Sequence, residues 1–130
     1  MSEYKTAIEP QVGTSIVRQT QVPPAGGAAL VSEISFSGAI RTYCILIDNT
    51  LNSEITYLRF WDTLTAGAAR SGTDAPFMIL KADAATKVQY NFDKGIYFGT
   101  GIMTAAVTTV GTTGNTSPTG NVNTTYLLGA

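Results

Sequence analysis

The sequence predicts an all-β protein, an antiparallel β-sandwich of jelly-roll type. Apolar stretches, alternating or continuous, recur at short intervals and are rich in β-branched and aromatic residues. Gly, Pro, Asn and Asp separate these stretches, and no segment has the 3.6-residue apolar period of a convincing helix. Short strands joined by frequent turns are typical of sandwiches and barrels.

The chain divides into an arm and one domain. Its 130 residues suit a single hydrophobic core, which we place in a sandwich over residues 28–130. Residues 1–27 hold three prolines and close on Gly26–Gly27, which predicts an extended N-terminal arm with a strand near Thr14 to Gln19. An arm that folds back as an edge strand of its own sandwich is the alternative. The apolar residues of the arm recur at intervals that suit contact with a surface: Tyr4, Ile8, Val12, Ile16, Val17 and Val22.

The first half of the sandwich contains three predicted strands. Ala29–Ser37 alternates, with Ile34 and Phe36 on its apolar face and Ser35 on the other. Ile40–Asp48 is apolar on both faces around Tyr43–Ile47, which predicts a central strand. Turn residues at Asn49–Glu54 then lead into Ile55–Asp62, and we expect these two strands to form a hairpin.

A long segment of small and polar residues, Asp62–Pro76, precedes the second half. Loops of this length in a compact domain are usually functional or mobile. Lys87–Asp93 alternates, which places Val88, Tyr90 and Phe92 inward. The other strands expected here are Phe77–Ala82, Gly95–Gly99, Gly101–Thr109 and Val122–Gly129.

Gly95–Thr109 raises the question of phosphate binding, because it has three glycines within seven residues. A phosphate loop follows a strand and opens a helix. Here the third glycine of the dinucleotide fingerprint and the Gly-Lys-Ser/Thr of a Walker loop are missing, and the following run is not helical. We therefore expect two strands joined by a tight turn or bulge at Gly99–Gly101.

The composition argues against an enzyme and against cofactors or bound metals. The chain has no histidine and one cysteine, Cys44, which excludes Ser–His and Cys–His catalysis and a zinc site of several thiolates. Cys44 lies among apolar residues and is expected to be a small buried hydrophobe. A chance carboxylate pair such as Asp62 and Asp74 has nothing in the sequence to favour it.

The charge balance restricts the partners. A net charge of −1 without a Lys/Arg cluster gives no footprint for nucleic acid, and no apolar run is long enough to span a bilayer. No signal peptide is recognisable, so we expect synthesis in a cytoplasm. Only 13% of residues are charged, which suggests that another chain covers part of the surface. We expect a homo-oligomer, a trimer or dimer, with Thr63–Ala75 and Gly111–Asn121 as candidate contacts.

Three further residues are candidate interface residues. Trp61 closes a strand and is expected to anchor a core or an interface, with a sugar-stacking platform as the alternative. Arg70 and Asp74 lie in the long loop and could contact a neighbouring subunit. Solvated charge is the alternative for each.

The segment Ile55–Val110 resembles a pattern in small structural proteins of tailed bacteriophages, and the likeness extends over roughly Ile40–Ala130. In that pattern an aromatic strand ending in Asp or Asn leads through a small-residue loop to "G-T-D-x-P", and the pattern closes on "G-I-x-F-x-T-G-I". The matching parts are Tyr57–Asp62, Gly72–Pro76, Phe77–Leu80, Lys87–Phe92 and Gly95–Ile102.

This resemblance implies a β-sandwich component of the virion, commonly a capsid decoration or cement protein that bridges capsomers. Its partner would be the major capsid protein or another virion protein, after assembly in the host cytoplasm. A neck or tail accessory protein is one alternative. A carbohydrate-binding module for attachment to the host surface is an alternative of another class.

Overall fold

The computed structural model describes residues 15–23, 33–64, 75–110 and 116–129. Within these ranges the chain forms eight β-strands and no helix, so none of the described segments is a helix that could cross a membrane. The strands are β1 (Ser15–Gln21), β2 (Glu33–Ser37), β3 (Ile40–Asp48), β4 (Thr56–Asp62), β5 (Met78–Ala82), β6 (Lys87–Phe98), β7 (Gly101–Val107) and β8 (Val122–Gly129).

Two four-stranded sheets pack face to face, which confirms the predicted antiparallel sandwich. Sheet A has the order β1-β8-β3-β6 and sheet B the order β2-β7-β4-β5. Every neighbouring pair is antiparallel. Because side chains alternate along a strand, each sheet has one face toward its partner sheet and one face outward.

The core lies between the sheets and consists of residues from both. Ile45 and Ile47 of β3 pack with Leu58 and Phe60 of β4, all at most 1% exposed. Phe60 also meets the ring of Tyr126 edge-on, with centroids 6.4 Å apart. The inward positions predicted for β6 are confirmed: Val88, Tyr90 and Phe92 pack against this core.

The predicted boundary between arm and domain needs correction. Residues 15–21 form β1, which pairs along its whole length with β8 from Ser15↔Leu128 to Gln21↔Val122. The alternating residues of β1 bury one face, and the backbone groups on one side of the strand pair with β8. These residues therefore belong to the sandwich as an edge strand, whereas residues 1–14 lie outside the described part of the chain.

The predicted hairpin between β3 and β4 is wrong. The two strands belong to different sheets, and residues 49–55 carry the chain across the end of the sandwich. Buried Asn49 holds this crossing, because its side-chain amide donates to the carbonyl oxygens of Glu54, Ala82 and Asp83 at 3.0–3.3 Å. Asn52 extends the network by accepting a bond from the backbone N–H of Gly120.

A β-bulge reverses part of the predicted face of β2. The register with β7 shifts between Ile34 and Phe36, so Phe36 packs on the core while Ile34 is exposed. Ser35 turns inward and joins a polar network with Gln19 and with the buried hydroxyl of Tyr126. This network links the edge strands β1 and β2 across the sandwich.

Candidate functional site

The glycine-rich segment Gly95–Thr109 binds a carboxylate of the chain itself, the side chain of Asp62. The backbone N–H groups of Gly99, Thr100 and Gly101 donate to Asp62 at 2.9, 2.8 and 3.3 Å. Burial acts to raise the pKa of this carboxyl, but the three backbone hydrogen bonds outweigh it, so the pKa is lowered. The predicted turn at Gly99–Gly101 is confirmed. Its backbone N–H groups stabilise the connection between β6 and β7.

Close packing explains why Gly101 follows this turn. A Cβ at this position would lie 2.9 Å from the backbone oxygen of Phe36 and 2.4 Å from the side chain of Leu64. A side chain here would force β2 and β7 apart. The glycine therefore serves packing and not ligand binding.

No group of three or more His, Cys, Asp or Glu residues in the described ranges could hold a metal ion. Cys44 is buried at 5% exposure, as predicted, and burial raises the pKa of its thiol. A raised pKa keeps the thiol protonated and a weak nucleophile. Asp74, which would form the chance carboxylate pair with Asp62, lies outside the described residues.

The outer face of sheet B is covered. Trp61 is only 4% exposed and packs with Met103, Ala105 and Val107 in a second apolar cluster. Arg59 lies on the same face, fully buried, and donates to the carbonyl oxygen of Thr109 at 3.3 Å. Trp61 is thus a packing residue within the chain, and as such it offers neither a sugar platform nor an exposed contact.

The outer face of sheet A is the main candidate site, because it carries an apolar strip. The strand register places its residues in rows that run across the sheet. Two central rows surround a shallow depression of about 80 Å³. The first consists of Ile16, Leu127, Cys44 and Asn91, and the second of Arg18, Thr125, Leu46 and Gln89.

Polar rows flank this strip at both ends. One row carries Arg41 and Tyr97, where the guanidinium lies 5.1 Å from the ring centroid. The other row consists of Thr20, Asn123, Asp48 and Lys87. The carboxylate of Asp48 accepts two bonds from Thr50, both at Oδ1, and its pKa is lowered chiefly by these bonds.

An aromatic pair occupies the Arg41 end of the face. Tyr97 is 52% exposed, and the half-buried ring of Tyr43 lies over Gly95. Gly95 has a φ of 78°, and a Cβ there would lie 2.9 Å from the Tyr43 ring. Its lack of a side chain lets β6 continue as one strand, where the sequence predicted two.

Of the predicted interface residues, the described part of the chain contains three. Ile16 lies on the outer face of sheet A, whereas Val17 points inward against the core and Trp61 is buried. The sequence analysis did not select Arg41, Leu46 or Leu127. The apolar character of both faces of β3 could have indicated Leu46. The remaining candidates, outside the described residues, are Tyr4, Ile8, Val12, Arg70 and Asp74.

Comparison with known proteins adds no relative. No protein-family model matches the chain, and neither a curated protein nor a solved structure matches it.

Proposed function

We propose that this chain is a non-enzymatic structural protein of a tailed-bacteriophage virion, a capsid decoration protein that bridges capsomers and stabilises the shell. The observation that carries the proposal is the shallow apolar depression on the outer face of sheet A, which Ile16, Leu46 and Leu127 line. A strip of half-buried Ile16, Leu46 and Leu127 suits contact with protein more than turnover of a small molecule.

The strand order supports the jelly-roll part of the proposal. One sheet has the strand order β1-β8-β3-β6, and the other sheet has the order β2-β7-β4-β5. Two Greek keys in an eight-stranded double sheet would give this order, which supports a jelly roll. Jelly rolls are frequent among viral capsid domains.

Stabilisation of the shell would follow from mass action. A protein that binds the assembled shell and not the free capsomers shifts the equilibrium toward assembly. The major capsid protein is the partner we propose, and residues 1–14 are the segment we propose for attachment. A site on the neck or tail would use the same contacts with a different virion protein.

Intact particles provide the direct test. We expect the chain in purified virions of the phage that encodes it, at a fixed ratio to the major capsid protein by quantitative mass spectrometry. Shells stripped of it should burst at a lower temperature and recover when the purified protein is added. Virions that lack the chain would refute the proposal, and its presence at a few copies per particle would favour the neck or tail.

A carbohydrate-binding function has one observation in its favour. Tyr97 and Tyr43 lie near Arg41 on an open sheet face, and exposed aromatic rings can stack on sugars. The test is binding of the purified chain to host-surface glycans or mucin. Saturable binding that Tyr97→Ala abolishes, with no binding to shells, would replace the shell function by this one.

A further inference from the structure

We infer that the outer face of sheet A binds a second copy of this chain in a face-to-face dimer, with the two-fold axis perpendicular to the strands. The inference rests on the proposed function and deepens it: a second copy of the chain covers the apolar strip, and residues 1–14 remain the segment proposed for attachment to the shell. It rests on the arrangement of the four rows and on the charge at each end.

The rows are evenly spaced along the central strand β8. Gly129, Leu127, Thr125 and Asn123 mark the four rows, and successive rows are about 7 Å apart. Arg41 of β3 lies in the first row and Asp48 of the same strand in the fourth. A register shift between Thr42 and Cys44 places both charges on the same face, and along β8 their two rows lie at equal distances from the middle of the apolar strip.

A two-fold axis through this midpoint matches the face with itself. It places Asp48 opposite Arg41 of the partner subunit, and Lys87 opposite Tyr97 of the partner subunit. The ion pair between Asp48 and Arg41 occurs twice. In the centre, Leu127 meets Thr125 of the partner subunit, so the two apolar strips cover each other.

In the two central rows the same axis brings no like charges together, because Arg18 is their one charged residue. Arg18 of the third row lies opposite Ile16 of the partner subunit, where its aliphatic stem can pack on the apolar side chain. Asp48 has room for a partner, because its two intrachain hydrogen bonds both use Oδ1. Self-complementary charge of this kind is what a symmetric, isologous interface requires.

The outer faces of the two sheets differ in how accessible they are to a partner. The outer face of sheet B is covered at Trp61, Met103, Ala105 and Val107, whereas the outer face of sheet A carries the open depression. Four strands and four rows span about 500 Å² per copy, or about 1,000 Å² in total. This size is at the lower end of specific interfaces and predicts a weak dimer, with a Kd in the micromolar range.

Charge reversal tests the geometry directly. In sedimentation equilibrium, Arg41→Glu and Asp48→Arg should each weaken dimerisation by at least about tenfold, because each creates two like-charge contacts. An equimolar mixture of the two variants should dimerise like the wild type, since the mixed dimer contains only opposite charges. The double variant should recover as well, because both residues exchange sign together.

The control is Lys81→Glu, which reverses an exposed charge on β5 of sheet B and should leave the dimer unchanged. Thermal melts of each variant establish that it is folded. Within one chain Arg41 and Asp48 are about 20 Å apart, so recovery in the mixture cannot come from an intrachain ion pair.

Three results would overturn the inference. The wild type could be a monomer at high micromolar concentration, both charge reversals could leave dimerisation unchanged, or the mixture of the two variants could fail to dimerise like the wild type. The shell function is tested separately. A monomer that still binds shells would refute only the dimer, and a dimer that is absent from virions would refute only the shell function.

Discussion

At the residue scale, the carboxylate of Asp62 stabilises the turn between β6 and β7 through three backbone hydrogen bonds. Asp62→Ala removes all three acceptor contacts and should lower the free energy of unfolding by about 1–3 kcal/mol in urea denaturation. Asp93→Ala, which removes an exposed carboxylate within β6, is the matched control and should have little effect. Equal stability of both variants would contradict this role of Asp62.

The lowered pKa of Asp62 also predicts an acid dependence of stability. A carboxyl with a lower pKa in the folded state stabilises the fold above its unfolded pKa, and this contribution is lost as the pH falls through the folded pKa. The wild type should therefore lose more stability than Asp62→Asn as the pH falls from 5 to 2. Parallel pH profiles in urea denaturation would contradict the prediction.

Tyr126 predicts the opposite dependence at alkaline pH. Burial raises its pKa to about 12, against the hydrogen bonds from neighbours such as Ser35 that lower it. A raised pKa means that this stabilisation is complete below pH 10 and is lost as the pH rises toward 12, by about 3 kcal/mol.

The test of Tyr126 is urea denaturation from pH 9 to pH 12. Tyr126→Phe keeps the ring but cannot ionise, so its stability should decline less steeply with pH than that of the wild type. Tyr97→Phe, which alters an exposed tyrosine, should retain the wild-type slope. A Tyr126→Phe profile as steep as the wild type would show that another group causes the loss.

At the scale of the elements, Asn49 joins two connections at one end of the sandwich. Its amide donates to Glu54 in the β3–β4 connection and to Asp83 in the β5–β6 turn. Asn49→Ala removes these bonds, together with the bond to the buried carbonyl oxygen of Ala82, and should cost about 1–3 kcal/mol in chemical denaturation. Asn91→Ala on the exposed face of β6 is the control and should stay within about 0.5 kcal/mol.

The strands were more predictable than their pairing. Period-two alternation identified Lys87–Asp93 and the inward side chains of β6, because burial of one face is a local property of the sequence. Assignment to a sheet is not local: the turn residues at Asn49–Glu54 suit a hairpin equally well, yet β3 and β4 separate into different sheets. The bulge between Ile34 and Phe36 also depends on β7, a strand far along the chain.

The candidate site was less predictable than the fold. The outer face of sheet A joins residues from four strands, and Ile16 was the one member that the sequence analysis selected. Trp61 was selected because tryptophan often anchors interfaces, but it packs within the chain. Which apolar side chains remain accessible depends on what covers each sheet, and this is decided by the tertiary structure.

At the scale of the whole molecule, truncation separates the fold from the proposed attachment. The edge strand β1 begins at Ser15, so deletion of residues 1–13 leaves every described strand intact. We expect the truncated chain to keep its Tm within a few degrees but to occupy fewer sites on shells, because the apolar residues Tyr4, Ile8 and Val12 are lost. Co-sedimentation with stripped shells measures the occupancy.

A longer deletion, of residues 1–21, provides the contrast. It removes β1, which exposes the edge of β8 and takes away Val17 from the core and Gln19 from the network around Tyr126. This variant should lose much of its thermal stability. If the shorter deletion is equally destabilising while shells remain fully occupied, residues 1–13 support the fold, and the attachment must lie elsewhere on the molecule.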